Sequence, residues 1–283
     1  MKYQIIGDSG LDLNETLKAE MNLKTIPFTI YVENEELVDN DPSKLEEGRN
    51  KIYASREAVR SGCPSPYTYE EAYEEVFSQG QAEGIFVVTL SSKLSGSFNS
   101  ANLAAKSYKE AHPEAKIHVF DSLSASAGET NVAYYLYKLE NQGLDFDEIV
   151  EKGENYVHAM RTFFILERMD ILIRNGRIKK TAGLLAKTLK IKPIMMGKEG
   201  EISLYEMSRG FKKSLVKLAE GIGNEVEETK GRILFISHTR GLEKAQFFKK
   251  KVEELYDFDE IHIVESSLLA STYADDGGIV VAF

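Results

Sequence analysis

The sequence predicts an α/β protein made of two α/β domains. Short apolar runs alternate with helical patterns along most of the 283 residues. This alternation is typical of right-handed βαβ units, so we expect a mostly parallel sheet flanked by helices in an N-terminal domain, residues 1–163. Residues 164–283 differ because a turn at 197–201 joins two strand patterns, which predicts a mixed sheet in a C-terminal domain.

The N-terminal elements follow from apolar periodicity and turn residues. The predicted strands cover residues 3–7, 24–32, 84–90 and 116–120. The predicted helices cover residues 43–61, 68–78, 97–111, 125–142 and 146–161. Thr68 and Glu71 have the spacing of a capping box, which would begin the second of these helices.

The C-terminal elements are read in the same way. The predicted helices cover residues 166–174, 181–189, 210–228 and 241–256. The predicted strands cover residues 202–207, 232–237, 260–264 and 278–283.

Composition restricts the function classes. Hydrophobic residues make up 42% of the chain and the net charge is −10, so bulk electrostatics argue against a nucleic-acid or anionic-membrane partner. No apolar run approaches the roughly 18 residues of a spanning helix, and the first residues run directly into a strand pattern without a signal peptide. One cysteine permits no intrachain disulfide. We therefore expect a cytoplasmic protein without membrane insertion.

Polar residues follow four of the predicted strands. The pairs are Asp8-Ser9, Ser91-Ser92, Asp121-Ser122 and Ser237-His238. Ligands of open α/β sheets bind beyond the carboxyl ends of the strands, so these residues are expected to converge on one site. The alternative for each is that it caps the following helix.

The loop after residue 90 has further features of an anion site. A helix N-terminus leaves backbone N–H groups free and its dipole favours negative charge. Gly96 lets a ligand approach the backbone, and Ser95 adds a hydroxyl donor. The spacing fits neither a P-loop nor a nucleophile elbow. A carboxylate or phosphate is therefore the expected ligand.

Other reactive groups are weaker candidates. Cys63 lies between Gly62 and Pro64 without a histidine nearby in sequence, so we expect it not to be a nucleophile. The histidines lack metal-ligand spacing, so no metal or cofactor is expected.

The chain resembles the DegV family of bacterial fatty acid-binding proteins across essentially its full length. Seven segments occur in the family's order: 8–12, 61–66, 90–97, 121–128, 175–178, 191–194 and 237–240. The resemblance implies a long-chain fatty acid held between the two domains, as the bound ligand in place of a cofactor.

The resemblance also implies roles for individual residues. Ser61 and Ser95 match the hydroxyls that hold the carboxylate, with Gly96 beside them, and Arg177 matches an arginine near the head group. Ser61-Gly62 stands where the family usually has Thr-Ser, and Tyr273 stands where a histidine usually falls.

The favoured hypothesis is a non-catalytic lipid carrier. By resemblance, it would present its fatty acid to a separate fatty acid kinase subunit. The alternatives are a phosphotransferase using Asp8 and Asp121, a serine hydrolase using Ser95, and a regulatory module that senses lipid. Asp8, Ser9, Ser92, Asp121, Ser122 and His238 are expected to support the site.

Overall fold

The computed structural model describes residues 2–80, 82–178 and 191–283. Its strands are β1 (Tyr3–Asp8), β2 (Lys24–Ile26), β3 (Thr29–Val32), β4 (Glu35–Val38), β5 (Arg60–Gly62), β6 (Gly84–Thr89), β7 (Ile117–Asp121), β8 (Thr162–Ile165), β9 (Ile194–Lys198), β10 (Glu201–Glu206), β11 (Ile233–His238), β12 (Glu260–Glu265) and β13 (Ile279–Ala282). Its α-helices are α1 (Glu15–Glu20), α2 (Leu45–Ala54), α3 (Pro66–Ser78), α4 (Ser97–Ala111), α5 (Ala127–Asn141), α6 (Phe146–Ala159), α7 (Asp170–Arg174), α8 (Phe211–Glu225), α9 (Leu242–Glu253) and α10 (Leu268–Ala274).

The strands form three sheets. The first sheet is fully parallel, in the order β2-β1-β6-β7. The second has the order β10-β9-β8-β13-β11-β12 and is mixed, because β11 and β12 are parallel whereas the other neighbours are antiparallel. The third is a small antiparallel sheet, β4-β3-β5. The predicted α/β class, with a parallel and a mixed sheet, is confirmed.

Helix α5 joins the two large sheets into one layered body. Its Val132 and Leu136 lie in a hydrophobic cluster that also contains Phe86 of β6 and Phe235 of β11. Residues 127–134 of α5 are all buried, and they include the polar Glu129, Thr130 and Asn131. The same helix therefore forms part of the environment of both sheets.

The predicted strand over residues 24–32 is wrong, because the structure divides it into β2 and β3 in different sheets. Pro27 lies at the division, and proline has no N–H with which to continue a ladder. The next amide, Phe28 N–H, instead donates to Ser9 Oγ at 2.9 Å. The chain thereby leaves the parallel sheet and enters the small antiparallel one.

The predicted helix over residues 43–61 is too long. Helix α2 ends at Ala54, and Arg60–Gly62 forms β5, which pairs with β3. This difference matters for the site, because Ser61 lies on a strand and not on a helix.

The capping box at Thr68 is also wrong by one turn. Helix α3 begins at Pro66, and Ser65 is its N-cap residue, whose side chain accepts from Thr68 N–H. Proline at the first helical position explains the earlier start, since its missing N–H would have had no intrahelical partner there.

The other described elements agree with the predictions within a few residues, including the hairpin of β9 and β10. The structure adds α1, β4, β8 and α10, which the sequence patterns did not reveal. The helix predicted over residues 181–189 lies outside the described residues, and the domain boundary at residue 163 stays a prediction.

Among the described residues, no helix combines the length and the apolar character that crossing a bilayer requires.

Candidate functional site

An apolar cavity of about 190 Å³ lies between the loops of the parallel sheet and one face of the mixed sheet. Phe164 of β8, Ile202 of β10 and Val280 of β13 line it from the mixed sheet, and Leu90 and Leu94 line it from the other side. Val280 is only half-buried although β13 has a neighbour on each side. Its side chain remains accessible because it faces the cavity.

The five residues expected to bind the ligand all line this cavity: Ser61, Ser95, Gly96, Arg177 and Tyr273. They come from four separate parts of the chain, and the fold brings them together. Ser61 Oγ and Tyr273 Oη are 2.8 Å apart and share a hydrogen bond. The Arg177 guanidinium carbon lies 6.0 Å from the centre of the Tyr273 ring. These groups form a polar cluster on a cavity whose other described lining residues are mostly apolar, with Ser124, Ser126, Thr162 and Glu201 as polar exceptions.

Each polar residue is positioned by its local structure. Ser61 lies in β5, opposite Ile30 of β3. Ser95 lies in the turn between β6 and α4, where its Oγ accepts from Ser97 N–H at 3.2 Å. Tyr273 lies on α10. The small antiparallel sheet, a loop of the parallel sheet and a helix before β13 thus each contribute one hydroxyl.

Arg177 supplies a positive charge to the cluster. Its side chain donates to two backbone carbonyls, Leu94 O at 3.3 Å and Asn175 O. Within the described ranges no carboxylate forms an ion pair with it. Because guanidinium carries five N–H donors in a planar fork, donors remain for an anionic ligand.

Gly96 occupies the position directly before α4, where it provides no capping side chain. A Cβ atom added there would lie 3.2 Å from Cys63 Sγ. The absent side chain therefore lets this loop pack closely against the segment that carries Ser61.

The six residues expected to support the site are not among those that line the cavity: Asp8, Ser9, Ser92, Asp121, Ser122 and His238. Most of them make local turn contacts. Asp121 Oδ1 accepts from Ser92 N–H and Leu123 N–H at 3.0 and 3.1 Å. Ser122 Oγ accepts from Ser124 N–H at 3.2 Å, and Ser9 Oγ bonds Phe28 as described above. These contacts shape the loops that form the cavity.

His238 caps the following turn. Its Nδ1 accepts from Gly241 N–H at 3.3 Å, and burial lowers its pKa below the ordinary value. All five histidines of the chain are described, and none of them lines the cavity. Ser95 consequently has no imidazole base beside it in the cavity.

Asp8 has a larger role than a local cap. It is fully buried, and it accepts from Gly10 N–H at 2.8 Å, Leu90 N–H at 3.0 Å and Ser97 Oγ–H at 2.5 Å. Burial raises its pKa, and these hydrogen bonds oppose that change. The carboxylate therefore contacts the chain on both sides of the loop that carries Ser95.

Asp12 connects the two halves of the chain. It accepts from Ser126 Oγ–H in the N-terminal half, and from Ser237 Oγ–H at 2.5 Å and Ser267 N–H at 2.7 Å in the C-terminal half. Burial raises the pKa of Asp12. Its Asp8-x-x-x-Asp12 spacing is visible in the sequence, but its long-range partners are not.

Asp39 is a further site-shaping residue that the sequence analysis missed. Its carboxylate accepts from Leu268 N–H at 3.1 Å and Leu269 N–H at 2.9 Å, at the beginning of α10. Burial raises its pKa to about 6. Asp39 lies just after β4, more than two hundred residues before α10, so no local pattern could have indicated the contact.

Cys63 lies exposed at the rim of the cavity, beside the Ser61 strand. Since no histidine lines the cavity, the structure provides no imidazole to activate the thiol there. We expect Cys63→Ser to leave ligand affinity within about threefold, as measured by fluorescence titration. Loss of binding by a folded Cys63→Ser protein would contradict this expectation.

Within the described residues, no group of His, Cys, Asp and Glu side chains is arranged to hold a metal ion.

Comparison with known proteins places the site in context. Residues 2–283 match the family model described as uncharacterised proteins of the DegV family. A DegV domain-containing protein of Streptococcus gordonii is 36% identical over 286 residues, covering 100% of this chain and 99% of that protein.

Two solved structures are similar over the whole length. A DegV-family protein of Ruminococcus gnavus, refined with vaccenic acid, has a TM-score of 0.92 and 38% identity, covering 100% of this chain and 99% of that one. The fatty acid kinase (Fak) B3 protein of Streptococcus pneumoniae, loaded with linoleic acid, has a TM-score of 0.89 and 32% identity with the same coverage. With a parallel and a mixed large sheet, and with matches along its whole length, the chain belongs to the DegV family.

Proposed function

We propose that the protein binds a long-chain fatty acid in the cavity between its two large sheets. Ser61, Ser95 and Arg177 contact the carboxylate, with Tyr273 and the Gly96 backbone beside them, and the acyl chain lies along the apolar wall. The observation that carries the proposal is the cluster of the Ser61, Ser95 and Tyr273 hydroxyls with the Arg177 guanidinium, on a cavity whose other described lining residues are mostly apolar. The fatty acids in the two related structures support the same ligand class.

The energies favour this division between tail and head group. Burying an acyl chain contributes about 0.8 kcal/mol per methylene, so a dozen methylenes contribute on the order of 10 kcal/mol. A hydrogen bond to a charged group contributes about 1.5–3 kcal/mol. The tail therefore supplies most of the affinity, and the polar cluster selects an acid and sets its position along the cavity.

Arg177 offsets the repulsion that an acidic protein exerts on an anionic ligand. The chain carries a net charge of −10, and the acidic Glu201 is among the residues that line the cavity. The guanidinium offers the cation that the usual histidine of the family would otherwise provide, because Tyr273 is a neutral donor. We assign charge recognition to Arg177 and hydrogen-bond recognition to the three hydroxyls.

The biological role we propose is that of a carrier without catalytic activity of its own, which presents its fatty acid to a separate kinase subunit. The similarity to the Fak B3 protein supports this role. The lack of a cavity histidine beside Ser95 speaks against a serine hydrolase.

The proposal predicts that the purified protein carries a lipid. We expect native mass spectrometry to show an added mass, and denaturing mass spectrometry of the same sample to release a long-chain fatty acid. Delipidated protein should gain thermal stability when oleate is added, because binding to the folded state stabilises it by mass action. Octane-1-sulfonate, an anion with a short tail, serves as the control. If no lipid is released and oleate does not raise the melting temperature, the carrier function fails.

A further inference from the structure

A fully buried glutamate lies behind the loop that carries Ser95. Glu129, on α5, has no exposed surface, and neither of its carboxyl oxygens has a hydrogen-bond donor in standard geometry. Burying a carboxylate without partners is costly, so a charged Glu129 would be strongly disfavoured. Glu129 must therefore be protonated in the folded protein, or share a proton with a neighbouring carboxyl group.

The neighbour of Glu129 is Asp8. A Cβ atom placed on Gly10 would lie 2.6 Å from Glu129 Oε2 and 2.7 Å from Asp8 Oδ1. Both carboxyl groups therefore lie beside Gly10, which is one of the residues that line the cavity. Two carboxyl groups in such proximity cannot both ionise without a large penalty.

The hydrogen bonds decide which of the two holds the proton. The groups bonded to Asp8 include the N–H groups of Gly10 and Leu90, which can only donate, and Ser97 Oγ–H also donates to it. Asp8 therefore acts as the carboxylate. Glu129 is then the carboxyl group of the pair that holds the proton.

The pair controls the geometry of the head-group loop. Leu90 directly precedes residues 91–96, and Ser97 directly follows them. One carboxylate, Asp8, thus holds both ends of the loop on which Ser95 and Gly96 lie. Fixing a loop at both ends lowers the entropy that it loses when it binds a ligand.

We propose that neutral Glu129 is a positioning residue for fatty acid binding, which keeps Asp8 ionised and oriented so that Asp8 holds the Ser95 loop. This inference rests on the proposed function. The titratable groups that face Glu129 are Asp8, the last residue of β1, Asp12, which follows that strand, and Tyr69 of α3. Burial, followed by the charge of Asp8, raises the pKa of Glu129 well above 4.5.

Because the pKa of Glu129 is raised in the folded protein, this group makes folding stability depend on pH. Below pH 4.5 the carboxyl is protonated in both the folded and the unfolded chain. Above it, the unfolded chain ionises first, so Glu129 makes folding less favourable as pH rises toward its folded pKa. When Glu129 finally ionises in the folded protein, a second negative charge lies behind the loop and fatty acid affinity falls.

The first test uses the protein without ligand, after delipidation. Glu129→Gln keeps a neutral donor and removes the titration. From pH 5 up to the pH at which Glu129 ionises in the folded protein, the ratio of the two proteins' unfolding equilibrium constants should change by up to about tenfold per pH unit, the slope for one proton. Glu140→Gln is the matched control, because Glu140 is a buried glutamate of the same helix that accepts from Tyr3 N–H at 2.9 Å, away from the cavity. An unchanged slope in Glu129→Gln would overturn the proton assignment.

The second test measures binding of cis-parinaric acid across the pH range in which the first test shows Glu129 ionising in the folded protein. Wild type and Glu140→Gln should lose affinity as pH rises, whereas the affinity of Glu129→Gln should stay level. Glu129→Leu lacks a donor and should bind at least tenfold more weakly than Glu129→Gln at pH 7. If Glu129→Leu binds as well as Glu129→Gln, or if Glu129→Gln shows the wild-type pH profile, Glu129 does not position the loop.

The two tests separate the inference from the function on which it rests. If wild type does not bind cis-parinaric acid, the proposed function fails and the positioning role fails with it. The ligand-free unfolding curves still decide where the proton lies.

Discussion

Ala270→Phe should abolish most fatty acid binding while the protein stays folded. Ala270 lies on α10 and lines the cavity. A phenyl ring there would occupy space for roughly four methylenes of the acyl chain, each worth about 0.8 kcal/mol. The expected loss is about 3 kcal/mol, or roughly a hundredfold in affinity. Fluorescence titration with cis-parinaric acid measures it directly.

The same replacement at Ala111 provides the control. Ala111 ends α4, is exposed and does not line the cavity. Ala111→Phe should bind as wild type does. Because filling an apolar cavity commonly stabilises a protein, the melting temperature of delipidated Ala270→Phe should not fall. Wild-type affinity in a folded Ala270→Phe protein would show that the acyl chain lies elsewhere.

Ser95→Ala should discriminate between an acid and an alcohol. Removing the hydroxyl deprives a bound carboxylate of one charge-assisted hydrogen bond, which costs about 1.5–3 kcal/mol, or roughly ten- to a hundredfold in affinity. A fatty alcohol of equal length has no charge at that position and should lose much less. The measurement is competition of oleate and oleyl alcohol against cis-parinaric acid.

Ser92→Ala is the matched control for this substitution, since Ser92 lies in the same loop but does not line the cavity. Equal weakening of the acid and the alcohol would mean that Ser95 shapes the cavity without reading the charge. A fall in melting temperature alone would mean that its main role is the contact with Ser97 N–H.

The sequence allowed accurate prediction of the elements whose signals are local and long. The buried strand β6 has the sequence Gly-Ile-Phe-Val-Val-Thr and is recognisable from its apolar run alone. Helices α4 and α5 are 15 residues long and carry clear patterns. In these segments the local preference and the tertiary environment agree.

Prediction failed where distant contacts decide the local structure. Helix α10 has only seven residues, fewer than two turns. Isolated helices of that length are unstable, so α10 depends on partners such as Asp39 at its beginning and Arg49, whose Nε donates to Ser271 Oγ at 2.9 Å. Neither partner is near α10 in sequence, and Tyr273 was therefore placed in the site by family resemblance rather than by any helical pattern.

The candidate site shows the same division. Serines after strand ends are visible in the sequence, but the pattern does not distinguish Ser95, which lines the cavity, from Ser92, which does not. Glu129 gave no signal at all, because a glutamate in the first turn of a helix is a common favourable residue there. Its burial becomes apparent only when α5 packs between two sheets.

The position of β13 has a consequence for synthesis of the chain. This strand, which comes last of the described strands, joins β10-β9-β8 to β11-β12. Until residues 279–282 have left the ribosome, β8 and β11 each present an unpaired edge next to apolar side chains. Open edges of this kind invite pairing with other chains. We expect nascent chains stalled before Gly278 to depend on chaperone protection, even though the parallel sheet, completed at β7, can form much earlier.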